Sequence, residues 1–466
     1  MRDKLLQLLI ISVGLLVVVK LFSLQVLNSS FSLINNNASV QKIYEFPERG
    51  YIYDRNNKLV VSNDFSYDLL VVPKDVNLAD SIIISKDFNI DLEVFLKKFL
   101  EAKTFSNVKA SILLNNISKD EYAPIQEKLW KHGGFFTQKK SKRTYNASTA
   151  ANLLGYISEV NKFEIEKNSY YEIGEMIGRQ GLEKTYENEL RGIKGVKFFQ
   201  KDKFNRVIGS FKNGIYDSLP IASKDLTLTI DLDLQQYGDS LMLNKRGSIV
   251  AIEPKSGEIL ALVNSPSYNL NSLVDKNRSI NYKKLESDSI GKPLFERGLQ
   301  GQYAPGSTFK IINALIGLQE NIINQGTLHK CDGGHFYAKN AFMRCHTNEA
   351  TFSNLNNAIY TSCNTYFAKT YKKLINSKKT VSDGLDNWTS HLKSFGLGDY
   401  LGYDLSIGQK GFIPDSNYYN KWYKKDGWHA STIISNAIGQ GEILTTPIQM
   451  ANFTAAIANR GFYITP

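Results

Sequence analysis

Residues 301–310 read GQYAPGSTFK. Ser307 and Lys310 stand three positions apart, where a Pro-Gly turn gives way to an apolar run of Phe309, Ile311, Ile312, Ala314 and Leu315. Positions i and i+3 share a helix face, so the spacing predicts that the two side chains meet in the first turn. A neutral amine placed there can take the hydroxyl proton and turn a weak nucleophile into a useful one. Burial lowers a lysine pKa, and so does the positive end of a helix. The same spacing recurs at Ser39/Lys42, Ser106/Lys109, Ser289/Lys292 and Ser390/Lys393, so spacing alone says little. What singles out Ser307 is its context: Pro305 and Gly306 favour a sharp helix entry.

The chain has 466 residues, room for two or three domains, and its 42% hydrophobic content is enough for real cores. A formal net charge of +11 is spread along the sequence as Lys among many Asn residues. No run combines dense Lys/Arg with stacking aromatics, so a nucleic-acid partner is not expected. A positive surface suits an anionic membrane or wall polymer.

At the N-terminus, Leu5–Val19 is almost entirely apolar, Lys20 interrupts, and Leu21–Leu27 continues. Together 5–27 is long enough to cross a bilayer, with Lys20 snorkelling toward one end. Arg2 and Lys4 precede it, which predicts a cytoplasmic N-terminus and an outward-facing bulk. No small-x-small cleavage site follows, so the segment reads as an uncleaved anchor after a short tail (1–4). Residues 28–44 are Asn/Ser-rich and read as a linker.

Beyond it, YDLLVVP (67–73) has strand character. Strands are also expected in LTLTIDLDL (226–234), GSIVAIEP (247–254) and EILALVN (258–264), the last two joined by a turn at Lys255-Ser256-Gly257. Helical patterns follow Ser307, flank residue 362 and close the chain, where Thr446 suits an N-cap and Pro447 the first helical position. A strand-rich segment followed by helices predicts an α+β catalytic domain. Asp231, Asp233 and Glu253 alternate with apolar residues and read as solvent-facing; His391 and His429 have no evident partner.

Residues 361–367 read TSCNTYF. Ser362-Cys363-Asn364 falls between helical patterns at Asn354–Thr361 and Tyr366–Leu374. In an extended triplet, Ser362 and Asn364 would face a cleft and Cys363 the interior. Ser267-Tyr268-Asn269 has the same S-x-N form, so the triplet gains weight only from following a Ser-Lys pair.

With these motifs in order, the chain resembles the class B penicillin-binding proteins, D,D-transpeptidases of cell-wall synthesis, most closely the elongation type called penicillin-binding protein 2. RGYIYDRNNKLV (49–60) resembles the pedestal signature, with Asn57 where Gly is usual, and GRQGLEKTYENELRG (178–192) the pedestal's G-x-x-G-L-E segment. IVAIEPKSGEILALV (249–263) is similar to the first hairpin of the transpeptidase domain. GQYAPGSTFK and TSCNTYF match its first two catalytic motifs, and LGYDLSIGQKGFIP (401–414) and AIGQGEILTTPIQMANFTAAIANRG (437–461) its later landmarks. The family's K-[ST]-G would come after the last of these; the K-S-G at Lys255–Gly257 precedes the nucleophile and reads as a decoy.

The resemblance implies an α+β fold: the transmembrane helix, a strand-rich pedestal (45–215), and a serine β-lactamase-like transpeptidase domain (225–466) lacking its C-terminal part. It implies Ser307 as nucleophile, Lys310 as its base, Ser362 as proton relay to the leaving amine, and Asn364 as orienter of Lys310 and of the substrate amide. Gly439, Gln440 and Gly441 would bind substrate. Stem peptides and β-lactams would be the ligands, and a SEDS-type glycosyltransferase the partner of the pedestal. The site would be extracytoplasmic, on a single-pass protein of the inner membrane. The alternative is an inactive scaffold that activates such a polymerase; a β-lactam hydrolase fits less well, since no E-x-x-x-N motif stands out after Ser362. No metal or organic cofactor is required for the chemistry. Relatives of this type point to a structural zinc, for which Cys331, Cys345, His346 and Cys363 supply four N/S ligands. A Cys331–Cys345 disulfide or free thiols are the other readings.

Overall fold

The computed structural model describes residues 14–16, 18, 40–172, 174–202, 207–274, 277–346, 350–423 and 427–466. The tail, nearly all of the expected anchor at 5–27, and most of the linker lie outside these. Among the described residues, no helix is long and apolar enough to cross a membrane.

Two compact units emerge, one drawing on residues up to Gly50 and on Asn188–Lys224, the other on Tyr51–Glu187 and Asp225–Pro466. In the first, Val40–Glu45 pairs antiparallel with Gly195–Lys201, which pairs in turn with Val207–Ser210. The Lys197 ammonium reaches the Glu45 carboxylate at 2.5 Å across that ladder.

The second unit is α+β. Its largest sheet is built around the long strand Leu59–Val71, which pairs antiparallel with Phe135–Tyr145, Ser111–Ile117 and Ile52–Tyr53. Alternation along the strand puts Leu69 and Val71 into a core with Phe95, Phe99 and Ala102 of helix Leu92–Phe105. Those three helix positions are one turn apart and share a face. Asp91 starts the helix by accepting the N–H groups of Glu93 and Val94. The Arg143 guanidinium meets the Glu183 carboxylate at 2.7 Å, both fully buried.

Farther along, Gly247–Ile252 and Ile259–Ser265 form the expected hairpin, with Gly257 at φ +80° in its turn. A helix, Leu232–Leu241, packs on it: the buried Gln235 side chain donates to the Leu262 carbonyl (3.1 Å) and accepts from the Leu262 N–H (2.8 Å). The strand expected over 226–234 is therefore only Leu226–Thr227, followed by this helix. Asp231 explains the switch, because its carboxylate accepts the N–H groups of Asp233 and Leu234 as an N-cap. Asp233 lies against the Lys58 ammonium at 2.5 Å.

The turn that carries Ser307 sits on a helical core where Phe309, Ile312 and Ile316 pack with Tyr371, Trp388 and Leu392. Burying a side chain of this size stabilises by about 1.5–3 kcal/mol, so the helix carrying Lys310 is firmly seated. His391, read as partnerless, meets the Glu320 carboxylate at 2.7 Å. The closing helix is Pro447–Ala458, with Thr446 and Gln449 forming a reciprocal cap.

Candidate active site

Gly306–Phe309 is a 3₁₀ turn that runs directly into helix Lys310–Gln319. Gly306 has φ +62°, a conformation that side chains disfavour, and this sharp entry leaves Ser307 exposed while Lys310 is only 2% exposed. The helix is pinned from behind: Asn313 donates to the carbonyls of Asn436 (3.2 Å) and Ala437 (2.9 Å) and accepts from the Trp388 indole (2.8 Å).

The segment 437–445 grips the same turn. The Gly306 N–H donates to the Gly439 carbonyl at 2.8 Å, and Tyr303 and Thr445 exchange backbone hydrogen bonds at 2.9 Å. A Cβ on Gly439 would lie 2.3 Å from the Gly306 carbonyl oxygen, and Gly439 holds φ +67°. Of the GQG residues, Gly439 thus touches the Ser307 turn itself, Gln440 is exposed, and Gly441 holds φ +79°.

The S-x-N triplet is not extended. Ser362 lies in the left-handed region at φ +53°, Cys363 caps helix Asn364–Ile375 by accepting the Tyr366 N–H on Sγ, and Asn364 is its first residue. Such a conformation in a non-glycine residue costs on the order of 1–3 kcal/mol. It delivers the arrangement expected of an extended triplet by another route: Ser362 and Asn364 reach Lys310, while Cys363 turns into the core.

Lys310 Nζ donates to the Ser362 carbonyl (2.7 Å), Ser362 Oγ (2.9 Å) and Asn364 Oδ1 (2.6 Å). Ser362 Oγ in turn lies 3.0 Å from Ser307 Oγ. Asn364 is oriented from its other end, Nδ2 donating to the Arg344 carbonyl at 2.9 Å. The structure brings Ser307, Lys310, Ser362 and Asn364 together, with one correction. Among the described residues there is no direct hydrogen bond between Lys310 and Ser307; Ser362 stands between them. Burial pushes the Lys310 amine below its ordinary range, and Cys345 and Cys363 oppose that shift.

Behind the site, the sulfurs of Cys331, Cys345 and Cys363 lie within 4.8 Å of one another. Cys345 Sγ is 3.6 Å from Cys363 Sγ, and Cys331 Sγ is 3.3 Å from Thr365 Oγ1. Among the described residues no disulfide joins the three, and burial above all pushes Cys363 up to about 12. The expected fourth ligand, His346, is exposed and does not join them.

Residues 44–228 match the family described as Penicillin-binding Protein dimerisation domain, and 247–466 the Penicillin binding protein transpeptidase domain. A relative named Peptidoglycan D,D-transpeptidase MrdA from Acinetobacter baumannii is 31% identical over 433 residues, covering 90% of this chain and 61% of its own length. The MrdA of Haemophilus influenzae is 30% identical over 463 residues, covering 96% of this chain and 68% of its own. The solved complex of penicillin-binding protein PBP2 with MreC from Helicobacter pylori superposes with a TM-score of 0.78 at 27% identity, covering 92% of this chain and 78% of the solved one. This chain thus spans roughly three-fifths of the Acinetobacter relative's length (61%). With both domain families matched in order, and the Ser-Lys-Ser-Asn cluster assembled on the second, the chain belongs to the class B penicillin-binding proteins, in the MrdA/PBP2 group.

Proposed function

We propose that this protein is a serine D,D-transpeptidase that cross-links peptidoglycan stem peptides through an acyl-enzyme on Ser307. The observation that carries the reading is the continuous path from Lys310 Nζ through Ser362 Oγ to Ser307 Oγ.

An ammonium has three N–H donors, and Lys310 faces three acceptors. A neutral amine has two donors and a lone pair, so one contact must reverse. The Ser362 carbonyl and Asn364 Oδ1 can only accept. Ser362 Oγ alone can turn and donate to Nζ, and its own lone pairs then accept the Ser307 proton. The burial that favours neutral Lys310 therefore sets the direction of the relay. As Ser307 Oγ attacks the carbonyl of the penultimate D-Ala, its proton moves to Ser362 and the Ser362 proton to Lys310. On collapse, the C–N bond breaks, the same path returns a proton to the leaving amine of the terminal D-Ala, and the acyl-enzyme remains. The amine of a neighbouring stem peptide attacks that ester and loses a proton to the path, the acyl C–O bond breaks, and the path returns a proton to the departing Ser307 Oγ. A β-lactam would acylate the same oxygen by opening its ring. Gly439, Gln440 and Gly441 would flank the bound peptide.

The three thiols fit zinc in kind and spacing, with three ligands rather than the four expected. Bound there, zinc would hold the thiols as thiolates and fix the S-x-N corner; no step of the acyl transfer needs it. Zinc analysis under reducing conditions checks this. The 5–27 segment would anchor the chain in the inner membrane with its bulk outside. A SEDS-type polymerase or an MreC-like protein would be its partner, the latter supported by the Helicobacter complex.

Fluorescent penicillin tests the central reading. Wild-type protein should be labelled covalently and Ser307→Ala should not; labelling that survives in Ser307→Ala would sink it.

A further inference from the structure

Helix Asn364–Ile375 presents a second polar surface well past its first turn. His329, Lys369, Lys372, Lys373 and Asn376 line an open groove of about 490 Å³. Among the described residues no carboxylate lines it, and Lys372 and Lys373 are exposed and make no ion pair. Lys369 uses one donor on the Lys330 carbonyl at 2.7 Å, leaving two.

His329 is the second observation. It is 8% exposed and stacks edge-on against Tyr366 at 4.9 Å, and its Nε2 is buried with no hydrogen-bond partner. A buried polar nitrogen without a partner is costly, so one that lines a groove of lysines points to a missing acceptor. His335 Nδ1 is likewise buried and unpartnered, and its ring interacts with Lys369, Lys372 and His329.

An imidazole with its proton on Nε2 can donate there to an anion lying in the groove. The groove thus combines three ammonium groups with the unpaired His329 nitrogen. A single carboxylate, with one charge and two oxygens, leaves most of these unmatched. A phosphoryl group with two or more charges and three or more terminal oxygens matches them.

We propose that this groove binds a phosphoryl anion of at least two negative charges, a phosphomonoester or a diphosphate. The site is independent of the acyl-transfer reading, and either can fail alone.

The test is titration calorimetry of the full detergent-solubilised chain with inorganic pyrophosphate at low salt. Saturable binding with a dissociation constant below about 1 mM, weakened at least about tenfold in Lys372→Ala/Lys373→Ala, is expected. No binding, equal binding of succinate, or undiminished binding by that variant overturns the proposal. Both lysines are exposed, so the variant should fold, and an unchanged melting temperature checks that it has. Water-soluble dihexanoyl phosphatidic acid separates the sources. Binding at least as tight as pyrophosphate assigns the group to a lipid headgroup, and weaker binding assigns it to a free phosphate compound.

Discussion

Two lysine environments on neighbouring helices are opposites. Lys310 is buried, meets three oxygen acceptors and has its pKa lowered by desolvation. Lys372 and Lys373 stand exposed beside an open groove and touch no carboxylate among the described residues. A third kind, Lys378, is an ordinary surface partner of Glu320 at 2.8 Å. The same side chain is thus suited to carry a proton, to present a fixed charge or to act as a minor brace, and burial with acceptor geometry decides which. A lysine kept wet stays an ammonium at physiological pH; only one forced dry can act as a base.

The sharpest way to break this contrast is to remove the relay. Ser307→Ala should abolish acylation by fluorescent penicillin. Ser362→Ala should slow it by about 100- to 10,000-fold, the usual range for a lost proton-transfer group, whereas a direct Lys310–Ser307 transfer would leave it within a few-fold. Next comes pH. Acylation should rise with pH as Lys310 loses its proton, and level off below the ordinary lysine value of about 10.4. A profile that first inflects at that value would mean that burial does not tune the amine.

Glu296 sharpens the same point with an acid. It is fully buried, its Oε2 has no partner, and desolvation pushes it up to about 8. Its folded-state pKa exceeds the unfolded value of about 4.3, so the native state binds the extra proton between the two. Stability should therefore fall as pH rises through that window. Glu296→Gln keeps the acceptor used by the Gly298 N–H and should remove the fall, melting about 2–4 °C or more above wild type at pH 8. The smallest effect belongs to the surface brace. Glu320 is held down to about 2 by Lys378, Asn387 and His391. Its contribution is present above the unfolded carboxylate value and is lost as pH falls toward 2. Glu320→Gln should cost about 1 kcal/mol or less at neutral pH by urea denaturation.

What was legible in the sequence was local. Ser307 and Lys310 are one turn apart, and the hairpin around Gly257 and the cap at Thr446 are short-range patterns. The family resemblance extended that reach to Ser362 and Asn364. The routing through Ser362 was not legible, because it depends on a left-handed residue whose strain is held by the surrounding fold. Nor was the pairing of His391 with Glu320, 71 positions apart; the gathering of Cys331, Cys345 and Cys363 came from the resemblance, and His346 did not follow it. At 226–234 alternation suggested a strand, and one aspartate cap overrode it.

The backbone-to-backbone seat of Gly439 on Gly306 carries an evolutionary consequence. Even one added methyl at 439 collides with the carbonyl just before the serine. Codon 439 should therefore be a dead end for resistance, while the neighbouring solvent-facing codon 440 is free of that collision. A saturation library grown under drug should recover only glycine at the first and several residues at the second.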